Sequence, residues 1–146
     1  LSAPRDVQLL VQLAQTYARV GQAGKIQPIV DTYVAQSDLS STDMLLAAQV
    51  YLNIGQIDGG AATFELILKR FPQESQAYYW LALIRANQMA FDDAFAKLEK
   101  AIELNPALRD QVRNDQRFGP IRNNSRFLQL IGAAPTSPLA IPPLTQ

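Results

Sequence analysis

The sequence predicts an all-α fold in which helical hairpins stack as an α-α superhelix. Three observations lead to this prediction: residues recur every 34 positions, each repeat contains two stretches of helical apolar spacing, and glycine or proline separates those stretches. With 146 residues, 48% of them hydrophobic, the chain has the size and composition of one domain with a buried core. We expect a single domain over residues 1–132 and a proline-rich extended tail over 133–146.

The 34-residue period divides the chain into three units at about 7–40, 41–74 and 75–108. Aligned without gaps, the units share columns of small, aromatic, glycine and proline residues: Leu13-Ala14 with Ala47-Ala48 and Leu81-Ala82, Tyr17 with Tyr51, Gly21 with Gly55, and Pro72 with Pro106. One hairpin cannot bury its own apolar face, so at least three such units are expected to stack.

Each unit is predicted to hold two helices. The first helices carry apolar residues at the spacing of one helical face: Leu10, Leu13, Ala14 and Tyr17, then Met44, Ala47, Ala48 and Tyr51, then Tyr78, Leu81 and Ala82. The second helices of the later units show the same spacing: Ala61, Phe64, Ile67, Leu68 and Phe71, then Phe91, Ala94, Phe95, Leu98, Ala101 and Ile102.

Turn and capping residues support these boundaries. Ser40 and Asp43 form a capping pair at a helix start. Gly21 and Gly55 stand between paired helices, where a left-handed backbone favours glycine. Pro28 fits only in the first turn of its helix, because proline lacks an N–H group.

Residues 107–131 are expected to form a cap of two or three short helices. Apolar residues alternate there with Arg, Asn, Asp and Gln, as a solvent-facing end of a repeat array requires. Asn124 or Ser125 is expected to cap the last helix. The cap also carries five arginines, which we interpret as paired locally with residues such as Asp110 and Asp115 rather than as a patch for an acidic partner: Arg109, Arg113, Arg117, Arg122 and Arg126.

With these columns in place, the sequence resembles the tetratricopeptide-repeat (TPR) family. The family pattern places a bulky residue, Leu-Gly, Tyr, Ala, Phe, Ala and a closing Pro along 34 residues. The third unit matches it through Tyr78, Leu81-Ala82, Ala94, Leu98, Ala101 and Pro106. The first unit departs from it, since Ile26 and Tyr33 replace small residues and Asp38 replaces the closing proline.

The resemblance implies a concave groove lined by the first helix of each unit. A second stripe beside the packing stripe would face this groove, and the residues predicted to bind a peptide are Gln15, Arg19, Leu45, Gln49, Leu52, Asn53, Tyr79, Leu83 and Asn87. Amide side chains both donate and accept hydrogen bonds, so they suit a peptide backbone. The alternative interpretation is that Gln and Asn here simply face solvent.

Composition argues against several other functions. Cysteine and histidine are absent, which removes thiolate or imidazole metal sites and nucleophile–His pairs. The 13 basic and 13 acidic residues balance, whereas nucleic-acid binders usually carry a basic surplus. No apolar run reaches the length of a membrane span. We expect no enzyme activity, no cofactor, no metal, no nucleic-acid partner and no direct membrane insertion.

The predicted function is a protein-interaction module that binds an extended peptide or a partner domain. The alternative is a structural or oligomerisation element, or a regulatory domain of a larger exported or membrane-anchored protein of bacterial type; apolar exposure of Leu9, Val11 or Leu13 would favour self-association. We also expect Leu139, Ile141 and Leu144 of the tail to contact a protein surface, such as the groove. The sequence leaves the cellular compartment open.

Overall fold

The computed structural model describes residues 6–132, and all regular structure within that range is helical. The predicted all-α class is therefore confirmed. The expected contacts of Leu139, Ile141 and Leu144 lie outside the described residues. The α-helices are α1 (Val7–Arg19), α2 (Gln27–Val34), α3 (Ser41–Asn53), α4 (Ile57–Arg70), α5 (Ser75–Asn87), α6 (Phe91–Leu104), α7 (Leu108–Asn114) and α8 (Ser125–Leu130), with 3₁₀ segments at Ala23–Ile26 and Gln116–Ile121.

The helix boundaries follow the 34-residue period of the sequence. The first helices α1, α3 and α5 begin at Val7, Ser41 and Ser75, as predicted. The second helices α4 and α6 are also one period apart at both ends. The second helix of the first unit instead begins as a 3₁₀ segment and becomes α2 at Gln27, which places Pro28 in the first α-helical turn. There its missing N–H group breaks no helical hydrogen bond.

The predicted caps form. The Ser40 hydroxyl accepts a hydrogen bond of 3.1 Å from the backbone N–H of Asp43 at the start of α3. The Asn124 side chain accepts one of 2.8 Å from the backbone N–H of Arg126 at the start of α8. Both bonds satisfy an N–H group that a helix start otherwise leaves unpaired.

The same turn ends the first helix of every unit. At its centre lie Gly21, Gly55 and Met89, which have positive φ angles of 75°, 82° and 64°. The N–H of each central residue donates to a carbonyl three residues earlier, and the next N–H donates five residues back, as in a Schellman motif. The third unit therefore keeps the left-handed turn with methionine in place of glycine.

The chain divides into two compact units, Leu1–Ala77 and Tyr78–Gln146. The expectation of one domain over residues 1–132 remains a prediction. In the first unit, α3 packs against α1, α2 and α4. A Cβ atom on Gly60 would lie 2.6 Å from the Leu52 side chain and 3.3 Å from the Ala48 carbonyl oxygen, so glycine here permits the close approach of α4 to α3.

The second unit buries a hydrophobic cluster that joins α5 and α6 to the cap. Its members come from every helix of the unit and include the cap residues Leu108, Val112, Phe118, Ile121, Phe127 and Ile131. The rings of Phe118 and Phe127 lie 5.9 Å apart. The residues predicted to form a cap therefore fold as two short helices and one 3₁₀ segment against the last hairpin.

The five cap arginines bind within their own unit, which favours the interpretation of local pairing. Arg109 and Arg113 donate to the carbonyl oxygens of Leu130 and Ile131, at the end of α8. Arg113 also pairs with Asp110. The other three pair as follows: Arg117 with Asp115, Arg122 with the Arg113 carbonyl oxygen, and Arg126 with Glu99.

Candidate functional site

The predicted groove residues of the first unit lie on α1 and α3. Gln15 and Arg19 are exposed on α1, and Asn53 is exposed at the end of α3. Leu45, Gln49 and Leu52 of α3 are half-buried. The close contact that a Gly60 side chain would make with Leu52 shows that the Leu52 side chain packs towards α4.

A small open cleft lies between α1 and α3. It has a volume of about 80 Å³, and it is lined by Val11, Ala14, Gln15, Ala18, Val50, Asn53 and Ile54. Five of these side chains are aliphatic, and the other two are the amides of Gln15 and Asn53, which are exposed, as is Ala18. The structure thus brings together two of the predicted residues, whereas Arg19, Leu45, Gln49 and Leu52 do not line the cleft.

The corresponding residues of the second unit are covered by the cap. Tyr79 was expected to face an open groove, and that expectation is wrong, because its side chain has no exposed surface. Its ring meets Phe118 edge-on at a centroid distance of 5.6 Å, and its hydroxyl donates to Asp115. Leu83 is 6% exposed in the same cluster. The 3₁₀ segment Gln116–Ile121 carries Phe118 onto this face.

Asn87 is engaged in the same contact. Its side-chain amide donates to the carbonyl oxygens of Leu83 and Arg117, at 2.9 and 3.1 Å. A peptide-like backbone carbonyl thus accepts a hydrogen bond from an amide of the predicted stripe, but that carbonyl belongs to the protein's own cap. This is the type of hydrogen bond that was expected for a ligand.

The centre of this contact is the carboxylate of Asp115. Hydrogen bonds from Arg117 lower its pKa to about 2, and the Tyr79 hydroxyl contributes a further bond in the same direction. Burial and the bond to Asp115 raise the pKa of Tyr79. The guanidinium of Arg117 also lies 4.8 Å from the centroid of the Trp80 ring. These groups hold the cap on α5.

No part of the described chain shows a metal site. Among residues 6–132, no three acidic side chains come close enough together to hold a metal ion. The same range contains no helix that is both long and apolar enough to span a bilayer.

Comparison with known proteins supports the fold. Two solved structures titled as MamA resemble the chain, each at 18% sequence identity. The first has a TM-score of 0.61 and covers 88% of this chain and 74% of its own. The second has a TM-score of 0.56 and covers 96% of this chain and 81% of its own. MamA contains TPR repeats, and the likeness supports a TPR-like helical repeat fold. No protein-family model and no curated protein matches the chain.

Proposed function

We propose that the protein is a non-catalytic interaction module that binds an extended, mostly uncharged segment of a partner protein on the α1–α3 face of its first unit. The observation that supports this most is the open cleft, whose aliphatic floor carries the amides of Gln15 and Asn53 at its rim. An apolar floor with a few well-placed polar groups is the usual composition of a binding site.

The two amides are available for a ligand. Neither side chain has a hydrogen-bond partner among the described residues, in contrast to Asn87 of the second unit. An extended segment has unpaired N–H and C=O groups, and an amide can satisfy either kind. Arg19 is exposed one turn beyond Gln15 on α1, where a longer segment would reach it.

The side chains also support a non-catalytic role. The strongest pKa changes belong to groups that stabilise helix contacts: burial and a bond to Asp31 raise the pKa of Tyr51, and Asp115 is paired with Arg117. None of these groups lines the cleft. Perturbed pKa values that arise from structural pairs do not indicate an active site.

Binding to an array of extended peptides tests the proposal. The chain is compared with a Gln15→Glu/Asn53→Asp variant, with the Gln49→Glu/Asn53→Asp variant, and with a Gln12→Glu/Gln73→Glu control that adds the same charge at exposed positions of the unit away from the cleft. We expect the two variants that carry Asn53→Asp to lose affinity about tenfold or more, because charge replaces an amide of the cleft that can donate a hydrogen bond. If all four proteins bind the same peptides equally, the site is elsewhere.

Self-association is the second candidate, because α1 exposes apolar surface. Leu9 is 47% exposed, and Val20 at the end of the same helix is 60% exposed. Exposed apolar side chains on one helix favour contact with a neighbouring surface. Analytical ultracentrifugation of the chain and of Leu9→Lys tests this candidate: a mass that increases with concentration and reverts in the variant supports it, and a monomer throughout contradicts it.

A further inference from the structure

The cleft has a counterpart in the second unit, where the protein fills it. The helices α1 and α5 are two repeat periods, or 68 positions, apart in the sequence. By the same count, the residues of α3 correspond to residues of the cap. The seventh cleft residue, Ile54, corresponds to Arg122. The other six correspond to residues of the second unit as follows: Val11 to Tyr79, Ala14 to Ala82, Gln15 to Leu83, Ala18 to Ala86, Val50 to Phe118 and Asn53 to Ile121. All six of those residues of the second unit belong to its buried cluster.

The cleft is open because its side chains are smaller. Tyr79 and Phe118 touch edge-on in the second unit, whereas valines stand at both equivalent positions of the first unit. Each valine lacks the ring that fills the space in the second unit, so a gap remains between α1 and α3. A gap lined by aliphatic groups loses contacts that an inserted apolar side chain restores.

The polar residues change at the same register. Gln15 and Asn53 occupy the positions at which the second unit has Leu83 and Ile121, which are 6% and 2% exposed. The second unit therefore buries apolar groups at these positions, whereas the first unit has exposed amides there. The valines and the amides together give the cleft an apolar interior with neutral polar groups at its rim. No charged residue lines the cleft.

We infer that this cleft is a side-chain pocket for one branched aliphatic residue, Leu, Ile or Val, carried by an extended, uncharged segment of a partner protein. The inference rests on the proposed function and adds the side chain that is selected. The size follows from the volume: a cavity of about 150 Å³ holds a benzene ring, so the 80 Å³ cleft admits a branched side chain of three or four carbons rather than a whole ring. The neutral rim favours backbone groups over a charged ligand.

The probe is a labelled synthetic peptide with the sequence of residues 133–146, which is uncharged and contains three branched aliphatic residues. In the base peptide Leu139, Ile141 and Leu144 are all replaced by alanine, and guest peptides carry Leu, Ile or Phe at position 139. Fluorescence anisotropy with the full chain compares their affinities as ratios, since any competition from the chain's own copy of this sequence would affect every peptide alike. We expect the Leu and Ile guests to bind about tenfold more tightly than the Ala and Phe guests.

Two variants connect this preference to the cleft. Ala18→Leu places a larger side chain at the mouth, and it should remove the tenfold preference; Ala62→Leu makes the same change at an exposed position of α4 and should retain it. Val50→Ala enlarges the cleft, and it should shift the preference towards the Phe guest. Such a reversal distinguishes a size-selective pocket from a general loss of folding, which circular dichroism monitors.

The outcomes separate the inference from the proposed function. Suppose that the chain binds array peptides with an affinity that falls in the Gln15 and Asn53 variants, while the Leu, Ile and Ala guests bind equally well. In that case the pocket is refuted and the proposed function stands. If the Leu preference persists in Ala18→Leu, the pocket lies elsewhere and the inference is also refuted. If the chain binds no array peptide and no guest peptide, both the inference and the proposed function fail.

Discussion

Exchanging methionine for glycine at the third repeat turn is predicted to stabilise the protein. Met89 has a φ angle of 64° and is 65% exposed, so it holds a left-handed backbone without a compensating burial. That conformation costs a non-glycine residue roughly 1–2 kcal/mol. Glycine removes this cost but loses about 0.5–1 kcal/mol through its greater freedom in the unfolded chain. We therefore expect Met89→Gly to raise the free energy of unfolding by about 0.5–1 kcal/mol.

The reverse exchange provides the matched control. Gly55 occupies the same position of the second 34-residue repeat with a φ angle of 82°, and nothing lies within 4 Å of the position that a Cβ atom would take. Gly55→Met therefore introduces backbone strain without a clash, and it should lower the free energy of unfolding by about 0.5–1 kcal/mol.

Urea unfolding monitored by circular dichroism measures both changes. The urea concentrations at the midpoints of unfolding should change in opposite directions in the two variants, while the slope of the free energy of unfolding against urea concentration stays constant. If Met89→Gly destabilises the chain as Gly55→Met does, the Met89 side chain makes a stabilising contact and the argument from the backbone is refuted.

Three further changes are predicted. Gly59→Ala should lower the free energy of unfolding by about 1 kcal/mol, because the new Cβ atom would lie 2.7 Å from the Tyr51 ring. Gly24→Ala is the control: its Cβ atom would meet nothing within 4 Å, so thermal unfolding should show no change or a gain in stability. Tyr33→Phe should stabilise by about 1 kcal/mol in urea, since it removes a buried hydroxyl without a partner; destabilisation would show that this hydroxyl is satisfied. The pKa of Asp115 is about 2 in the folded protein and 3.8 when the carboxyl group is unpaired, so the ionised group stabilises the fold above pH 4. About 2 kcal/mol of the free energy of unfolding should be lost as the pH falls from 4 through 2. Asp115→Asn should reduce this dependence of stability on pH, and an unchanged dependence in the variant would contradict the prediction.

The hairpins could be predicted from the sequence because their signals are local and repeated. Helix starts at Val7, Ser41 and Ser75 required only a shared period, and the left-handed turns required glycine at Gly21 and Gly55. The equivalent turn at Met89 carried no such signal, since methionine there forms the same hydrogen bonds against its own preference.

The candidate site could be predicted only in part. Gln15 and Asn53 were identified because the amide stripe recurs on the first helices, but the cleft between them depends on the sizes of Val11 and Val50, which no periodicity specifies. Tyr79 was misplaced because its burial depends on a contact with a segment almost 40 residues later. A helical pattern identifies which face of a helix a residue occupies, but it does not identify what covers that face.

One signal in the sequence does separate the covered face from the open one. Along the groove stripe, α5 has Tyr79 and Leu83 where α1 has Val11 and Gln15, so the stripe becomes apolar at the end of the array. An apolar stripe on a helix requires a cover, which the cap supplies here. The change from amides to apolar residues in one repeat column therefore marks the face that the protein covers with its own cap, and the column that stays polar around small apolar residues marks the face on which we propose that a partner binds.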